Sequence, residues 1–239
     1  MSEPGGLITG AVNFRDIGGL PARGRTTRSG VLFRSGNLAR LDEGTRRRIA
    51  GLGLRRIVDL RDDDEVRADP TFLGPDEPET VRVPLFLGSV ASFFAEDVSL
   101  AEVYDRLVDD SAPALATVVR AVVEEQPVLV HCTVGKDRTG VSIALILAAA
   151  GVDEDAVVAD YARTAASLPA TRNRQVVAWL RAAHPEARHA VELATASPAP
   201  VMRAVLRRLR AQYGSVGEYL TAAGVGAAEL AELRRILIA

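Results

Sequence analysis

Residues 127–151 read PVLVHCTVGKDRTGVSIALILAAAG. A short, wholly apolar run leads into a stretch that turns on Gly135, then into a run rich in Ile, Leu and Ala that stops at Gly151. The pattern predicts a strand over 127–130, a loop over 132–138 and a helix over 138–150. A buried strand that feeds a buried helix belongs in a layered α/β fold. The rest of the first half agrees. Residues 31–33, 57–60 and 80–85 read as further strands, the last two buried, and 42–52 as a helix with an acidic start and Gly53 past its end. Residues 61–79 read as a charged, proline-bearing loop, and 99–125 as two helices broken near Ala112 and Pro113. The expected architecture is α/β, with a central, mainly parallel sheet flanked by helices.

After Gly151 no strand pattern appears. Residues 153–165, 170–183, 200–213, 216–223 and 227–237 carry helical periodicity in a segment rich in alanine and arginine. Val201, Val205, Leu206 and Leu209 share one helical face, with Arg203, Arg207 and Arg210 elsewhere. That is the pattern of a helix packed on a core with a solvated basic side. No repeat or low-complexity linker divides the chain. It reads as a single domain over 1–239, with an α/β core over 1–151 and an all-helical extension over 152–239.

The loop at 132–138 holds the only cysteine, Cys132, and the only lysine, Lys136, in a chain whose other long cationic side chains are all arginine. Backbone N–H groups of Thr133, Val134, Gly135, Lys136, Asp137 and Arg138 in such a turn point inward, and with the helix start they form an anion cradle. Arg138 can grip two phosphate oxygens at once. Cys132 lies at the floor of that cradle, where positive surroundings favour the thiolate. His131 fits a role in orienting the loop. Thr139 fits one in hydrogen-bonding the sulfur as it leaves. The chemistry available is covalent phosphoryl transfer: attack by Cys132, charge on the equatorial oxygens met by the amides and Arg138, then hydrolysis of a phosphocysteine.

The reaction also needs a general acid. Two candidates stand out: Asp137 inside the loop, and Asp59 at the end of a strand, where open α/β sheets place their sites. No metal or other cofactor is required. Lys136 has two readings, as an extra cation for polyanionic substrates or as a partner of the catalytic phosphate and Asp137. The acidic run Asp62, Asp63, Asp64 and Glu65 reads as a solvated loop. A Walker-type nucleotide loop is excluded, because Asp137 follows Lys136 and Val130 stands where that motif needs glycine.

A formal net charge of −2 excludes a nucleic-acid binder that relies on a strong basic field. One cysteine excludes a disulfide framework and a cysteine-based zinc cluster, and His131, His184 and His189 are too scattered to suggest a histidine metal site. Residues 1–16 lack the pattern of a conventional signal peptide, and the longest apolar run, 143–150, is too short to span a bilayer. The expectation is a cytoplasmic protein with no integral membrane segment, export without a conventional signal being the alternative.

The string from His131 to Thr139 resembles the signature of the cysteine-dependent protein tyrosine phosphatase superfamily. The fuller HCTVGKDRTG is similar to a narrower group, bacterial tyrosine phosphatases with a lipid-phosphatase-like loop. Asn13-Phe14-Arg15-Asp16-Ile17-Gly18-Gly19 resembles that group's N-terminal motif. Leu32-Phe33-Arg34-Ser35-Gly36, Val58-Asp59-Leu60-Arg61, and Tyr213-Gly214-Ser215-Val216 with Tyr219-Leu220 match it too. The likeness covers most of the chain and is weakest at about 164–198. It implies a phosphatase-like fold in which helices after the catalytic helix form a lid, here at about 153–198. It also implies hydrolysis of phosphotyrosine, with phosphoserine, phosphothreonine and phosphoinositides as further substrate classes, and a catalytic role for Asp137. Asn13, Arg15 and Asp16 read as structural. No Trp-Pro-Asp loop is present, since Trp179 is the only tryptophan and lacks Pro-Asp after it. The alternatives are a catalytically silent binder of phosphoproteins or phospholipids and, more remotely, a sulfur transferase. The intact Cys132, Arg138 and Thr139 argue for turnover.

Overall fold

The computed structural model describes residues 11–74, 77–85 and 96–239, so the readings made at 1–10 and 75–76 lie outside the described residues. Strands β1 (Arg15–Asp16), β4 (Leu32–Ser35), β5 (Arg56–Asp59), β6 (Glu79–Arg82) and β7 (Val128–His131) form a five-stranded sheet in the order β1-β4-β7-β5-β6. A separate hairpin joins β2 (Pro21–Ala22) to β3 (Arg25–Thr26). Strands β4, β7, β5 and β6 run parallel, and β1 is antiparallel to β4. The sheet is therefore mainly parallel, as the alternation of strand and helix patterns predicts.

Side chains alternate between two cores as a pleated strand requires. Leu32, Val58, Val128 and Val130 enter the larger core, and Phe33, Ile57 and Leu129 the smaller. Helix α1 (Glu43–Ala50) closes the smaller one through Ile49. Asp42 starts α1 by accepting the Thr45 N–H. Helix α2 (Asp63–Ala68) follows β5, and α3 (Leu100–Asp110) and α4 (Ala112–Glu124) precede β7. Helix α5 (Asp137–Ala150) is buried at every residue from Thr139 to Leu147, and Gly151, at φ +95°, ends it in a left-handed cap.

The extension comprises α6 (Glu154–Ser167), α7 (Ala170–Ala183), α8 (Ala190–Thr195), α9 (Ala199–Tyr213), α10 (Val216–Ala222) and α11 (Ala227–Leu237). Helices α6, α10 and α11 pack on α5, and α9 packs on α6 and α3. On α9, Val205, Leu206 and Leu209 are buried while Arg203, Arg207 and Arg210 are exposed, the amphipathic arrangement its periodicity predicts. Among the described residues no helix is long and apolar enough to cross a membrane.

Three differences from the sequence reading have physical reasons. Residues 80–85, read as a buried strand, contain β6, which is largely exposed because it is the outermost strand and has a neighbour on one side only; Val83 and Leu85 beyond it are buried. Residues 61–79, read as a loop, contain α2, opened by a reciprocal capping box between Asp62 and Glu65. Strands β1, β2 and β3 and the short helix α8 were not expected, since two to six residues are too few to show a period.

Candidate active site

Strand β7 lies between β4 and β5 with Ser35, His131 and Asp59 in register, so three parallel strands end at one edge. Beyond His131 the chain leaves the sheet. Cys132 is buried, and Gly135 turns the loop back at φ +72° into α5. Glycine is needed there: a Cβ would lie 2.5 Å from the Ser35 carbonyl oxygen and 2.6 Å from the Gly36 nitrogen. A Cβ on Gly36 would in turn meet the Val134 carbonyl at 2.9 Å. The loop is thus pressed against the end of β4. Within it, the Gly135 N–H donates to Cys132 Sγ over 3.3 Å. The first turn of α5 presents N–H groups that have no helical acceptor.

The back of the loop is held by residues far away in sequence. The Gly135 carbonyl accepts from Asn13 Nδ2 at 2.6 Å and from Arg34 at 2.8 Å, and the Asn37 N–H donates to the Thr133 carbonyl at 2.9 Å. Arg34 is fully buried and pairs with Asp160 of α6 at 2.7 Å, which also takes Arg15 Nε at 2.6 Å. Burial works to raise the Asp160 carboxyl, and the two guanidiniums outweigh it and hold the group below the usual carboxylate range. Asp16 accepts the N–H groups of Gly18 and Gly30, so it shapes a turn. Asn13, Arg15 and Asp16 thus buttress the loop and the turn before it.

Arg138 is gripped from the front. Its two terminal nitrogens donate to the two Glu65 carboxylate oxygens at 2.5 and 2.6 Å, and one also reaches the Leu60 carbonyl at 3.3 Å. Thr133 Oγ1 donates to the same Glu65 carboxylate. Burial pushes the Glu65 carboxyl up, but the hydrogen bonds and charge of Arg138, with the Thr133 hydroxyl, bring it down to about 2. Burial lowers the Arg138 guanidinium and pairing with Glu65 more than reverses that, so it stays charged.

Asp137 and Lys136 form one unit. Lys136 is buried, and its Nζ donates to Asp137 Oδ1 at 2.6 Å and to the Ala196 carbonyl at 3.0 Å. The ion pair with Asp137, part of one of its two readings, is present. Tyr104 of α3 donates to the same oxygen at 2.8 Å and meets the Tyr161 hydroxyl at 2.9 Å. Burial, more than the nearby Asp137 charge, drives the Tyr104 hydroxyl well above its ordinary pKa, so it remains a donor. With Oδ1 taken twice, Asp137 has Oδ2 free of any hydrogen bond to a described residue.

Asp59 stands apart from this unit. Its carboxylate is buried and accepts three contacts within 3.2 Å from the Arg61 side chain and one from the Arg61 N–H, with His131 Nε2 at 3.7 Å. Burial raises this carboxyl, but Arg61 and His131 together bring it below its ordinary value. His131 is fully buried, with Nδ1 3.3 Å from the Cys132 carbonyl; burial first, against the pull of Asp59, lowers its pKa. Thr139 Oγ1 is buried and forms no hydrogen bond among the described residues, and the sulfur accepts from the Gly135 N–H.

Sequence reasoning missed Glu65, Tyr104, Arg34 and Asp160. The Asp62-x-x-Glu65 spacing is itself a capping-box signal, and it would have put Glu65 on a helix at the sheet edge instead of in a solvated loop. No comparable local signal marks Tyr104 or Asp160, and Arg34 was quoted only as part of the Leu32–Gly36 motif, with no role read for it. Among the described residues no group of three or more His, Cys, Asp or Glu is placed to hold a metal ion.

The geometry can be set beside known proteins. A sequence model described as the tyrosine phosphatase family matches residues 7–239. The chain is 30% identical to the triple specificity protein phosphatase PtpB of Mycobacterium tuberculosis, over 97% of this chain and 98% of that one. It is 32% identical to a tyrosine-protein phosphatase of Nostoc commune, over 85% of this chain and 73% of that one. Among solved structures, P. aeruginosa TpbA covers 75% of this chain and 88% of its own at 19% identity, with a TM-score of 0.36.

Proposed function

The chain belongs to the tyrosine phosphatase family, a class of phosphoric monoester hydrolases, and from that premise we propose that it dephosphorylates phosphotyrosine through a phosphocysteine at Cys132. The observation that carries this reading is the buried Cys132 sulfur, held by the Gly135 N–H, in a loop that ends on Arg138. The Cys132 thiolate attacks phosphorus in line with the leaving oxygen, so that an S–P bond forms as the O–P bond breaks. Loop amides from Thr133 to Arg138 and the Arg138 guanidinium meet the charge on the equatorial oxygens. In its protonated form Asp137 gives its proton to the leaving oxygen, and the resulting carboxylate, the form that pairs with Lys136, takes one from the water that cleaves the S–P bond. Because Lys136 and Tyr104 both donate to Oδ1, the proton is carried on Oδ2. Thr139 has an unspent hydroxyl on the first turn of α5, available to the departing sulfur.

Residues 1–239 act in this reading as one catalytic domain, with the helices at about 153–198 as cover over the site. One bond supports that, from Lys136 of the loop to the Ala196 carbonyl at 3.0 Å, and Arg172 of α7 ties that part of the segment together through the Ala194 carbonyl at 3.1 Å. The test is a substrate panel in the presence of EDTA. Phosphotyrosine peptides are expected to turn over, and no release of phosphate from any of them sinks the reading. Phosphoserine and phosphothreonine peptides and mono- and polyphosphorylated inositides belong in the same panel as further classes.

Asp137→Asn is expected to lower kcat on phenyl phosphate by ~10²–10⁴-fold, with a smaller loss on p-nitrophenyl phosphate, whose leaving group needs no proton. Asp59→Asn should show no such dependence on the leaving group, because that carboxylate is spent on Arg61; its effect is expected in the unfolding midpoint. A leaving-group dependence that follows Asp59 would reverse the assignment.

Glu65 acts through Arg138 as a positioning residue. Glu65→Gln should cost roughly 10²-fold in kcat/KM by freeing the guanidinium to move. The sign of the pH effect follows from a folded pKa of about 2 against an ordinary 4.5. The pairing is complete above the ordinary value and is lost as pH falls towards 2. The acid limb of the activity profile above about pH 4.5 should therefore stay in place in this variant. A limb that moves would assign the titration to Glu65.

A further inference from the structure

Helix α5 starts in the catalytic loop, and its other end opens onto a different cavity. Residues Ala148 to Gly151 border a groove of about 830 Å³, walled by the β2–β3 hairpin and by parts of α9 and α11. The two ends of a helix of 14 residues are roughly 20 Å apart at 1.5 Å per residue, so this groove is separate from the loop of Cys132.

The groove concentrates positive charge in a chain whose formal net charge is −2. Arg23, Arg25 and Arg28 line it and are exposed, and their guanidiniums make no hydrogen bond or ion pair with a described residue. Arg234 Nε donates to the Ala149 carbonyl, a bond that leaves its charge unneutralised. Arg210 and Arg235 also line the groove but are paired with Glu154 and Glu232. On the acidic side, Glu154 is taken by Arg210, and Asp153 accepts the Arg23 main-chain N–H at 3.1 Å. Four unneutralised guanidiniums thus face one unneutralised carboxylate. The hairpin presents them at some cost. Arg23 sits at φ +52° before Gly24 at φ +83°, a turn that ordinarily takes Asn, Asp or Gly at its first central position.

We propose that this groove binds a multiply phosphorylated anion, as a second anion site independent of the catalytic loop. The volume is far larger than one phosphate needs, and the free charges come from two walls, the hairpin and α11, so a ligand with several phosphates satisfies more of them than a single one does. Guanidiniums grip phosphate oxygens in pairs, which suits such a ligand. A free polyphosphate and the phosphorylated headgroup of a lipid share this chemistry.

The full-length protein, with orthovanadate saturating the catalytic loop, is titrated with tripolyphosphate at low salt. One residual binding event is expected. In Arg23→Ala/Arg25→Ala/Arg28→Ala it should weaken tenfold or more, while hydrolysis of p-nitrophenyl phosphate is unchanged and reports that the variant is folded. Arg25→Ala alone should give a smaller loss in the same direction, separating charge from distortion of the hairpin. Co-sedimentation with vesicles carrying a bisphosphorylated phosphoinositide, lost in the triple variant, assigns the site to a lipid headgroup. Tripolyphosphate binding without co-sedimentation assigns it to a free anion. No residual binding by the unmodified protein, or a triple variant that titrates as it does, overturns the proposal.

Discussion

Cys132→Ser is expected to lower kcat/KM on p-nitrophenyl phosphate by about 10⁴-fold or more while phosphate binding survives. The substitution exchanges one atom at a buried position whose neighbour, the Gly135 N–H, has an oxygen to donate to instead of a sulfur. Fold and cradle are therefore retained, and the unfolding midpoint should move little. What is lost is the nucleophile: a serine hydroxyl is protonated at neutral pH, and no base among the described residues is bonded to this position. Two measurements separate this from a damaged site. An acid-quenched phosphoenzyme should be trapped from the unsubstituted protein on a fast-reacting substrate and be absent in the variant. Inorganic phosphate should bind both with similar affinity. A loss of only about tenfold, with the phosphoenzyme still present, would place the nucleophile elsewhere.

Arg138→Lys should cost roughly 10³-fold in kcat/KM even though the charge is kept. Arg138 spends both terminal nitrogens on Glu65 and still has Nε–H for a phosphate oxygen, a division of labour that needs a planar fork. Lysine offers a single ammonium on a flexible stem. It can answer Glu65 or the transferring phosphoryl group, but not both in fixed geometry. The double variant Arg138→Lys/Glu65→Gln is the discriminating case. If Arg138 serves the transition state, removing Glu65's charge restores stability but little of the rate. Recovery of most of the activity would mean that Arg138 serves chiefly to neutralise Glu65, measured as a coupling energy close to the full loss.

The sequence made the centre of the site legible because that centre is local. Cys132, Gly135, Arg138 and the helix they introduce follow one another within a strand–loop–helix whose periodicities are plain. The strands on either side, β4 and β5, were legible for the same reason. What surrounds the loop was not. Glu65 lies 73 residues from Arg138, and Asp160 lies 126 residues from Arg34, so no window along the chain contains both partners. Asp59 shows the limit within a single strand. Its place at the end of β5 was readable, but which way its carboxylate turns was decided by Arg61, two residues on. Lys136 was conspicuous by its rarity and its pairing with Asp137 was readable, but its second acceptor, the Ala196 carbonyl, is in a segment where the family likeness is weakest.

The buttress behind Gly135 also sets a schedule. The nucleophile and its loop leave the ribosome by residue 138, and Asn13, Arg15 and Arg34 are by then long since made. Until Asp160 follows them, however, two guanidiniums meant for the interior have no carboxylate to face, and burying them would be prohibitive. The surface of α5 is covered in part by α11, which is further still along the chain. A nascent chain that already carries its thiol is thus not yet a catalyst. The brace behind the loop is complete only when α6 is in place to neutralise Arg15 and Arg34.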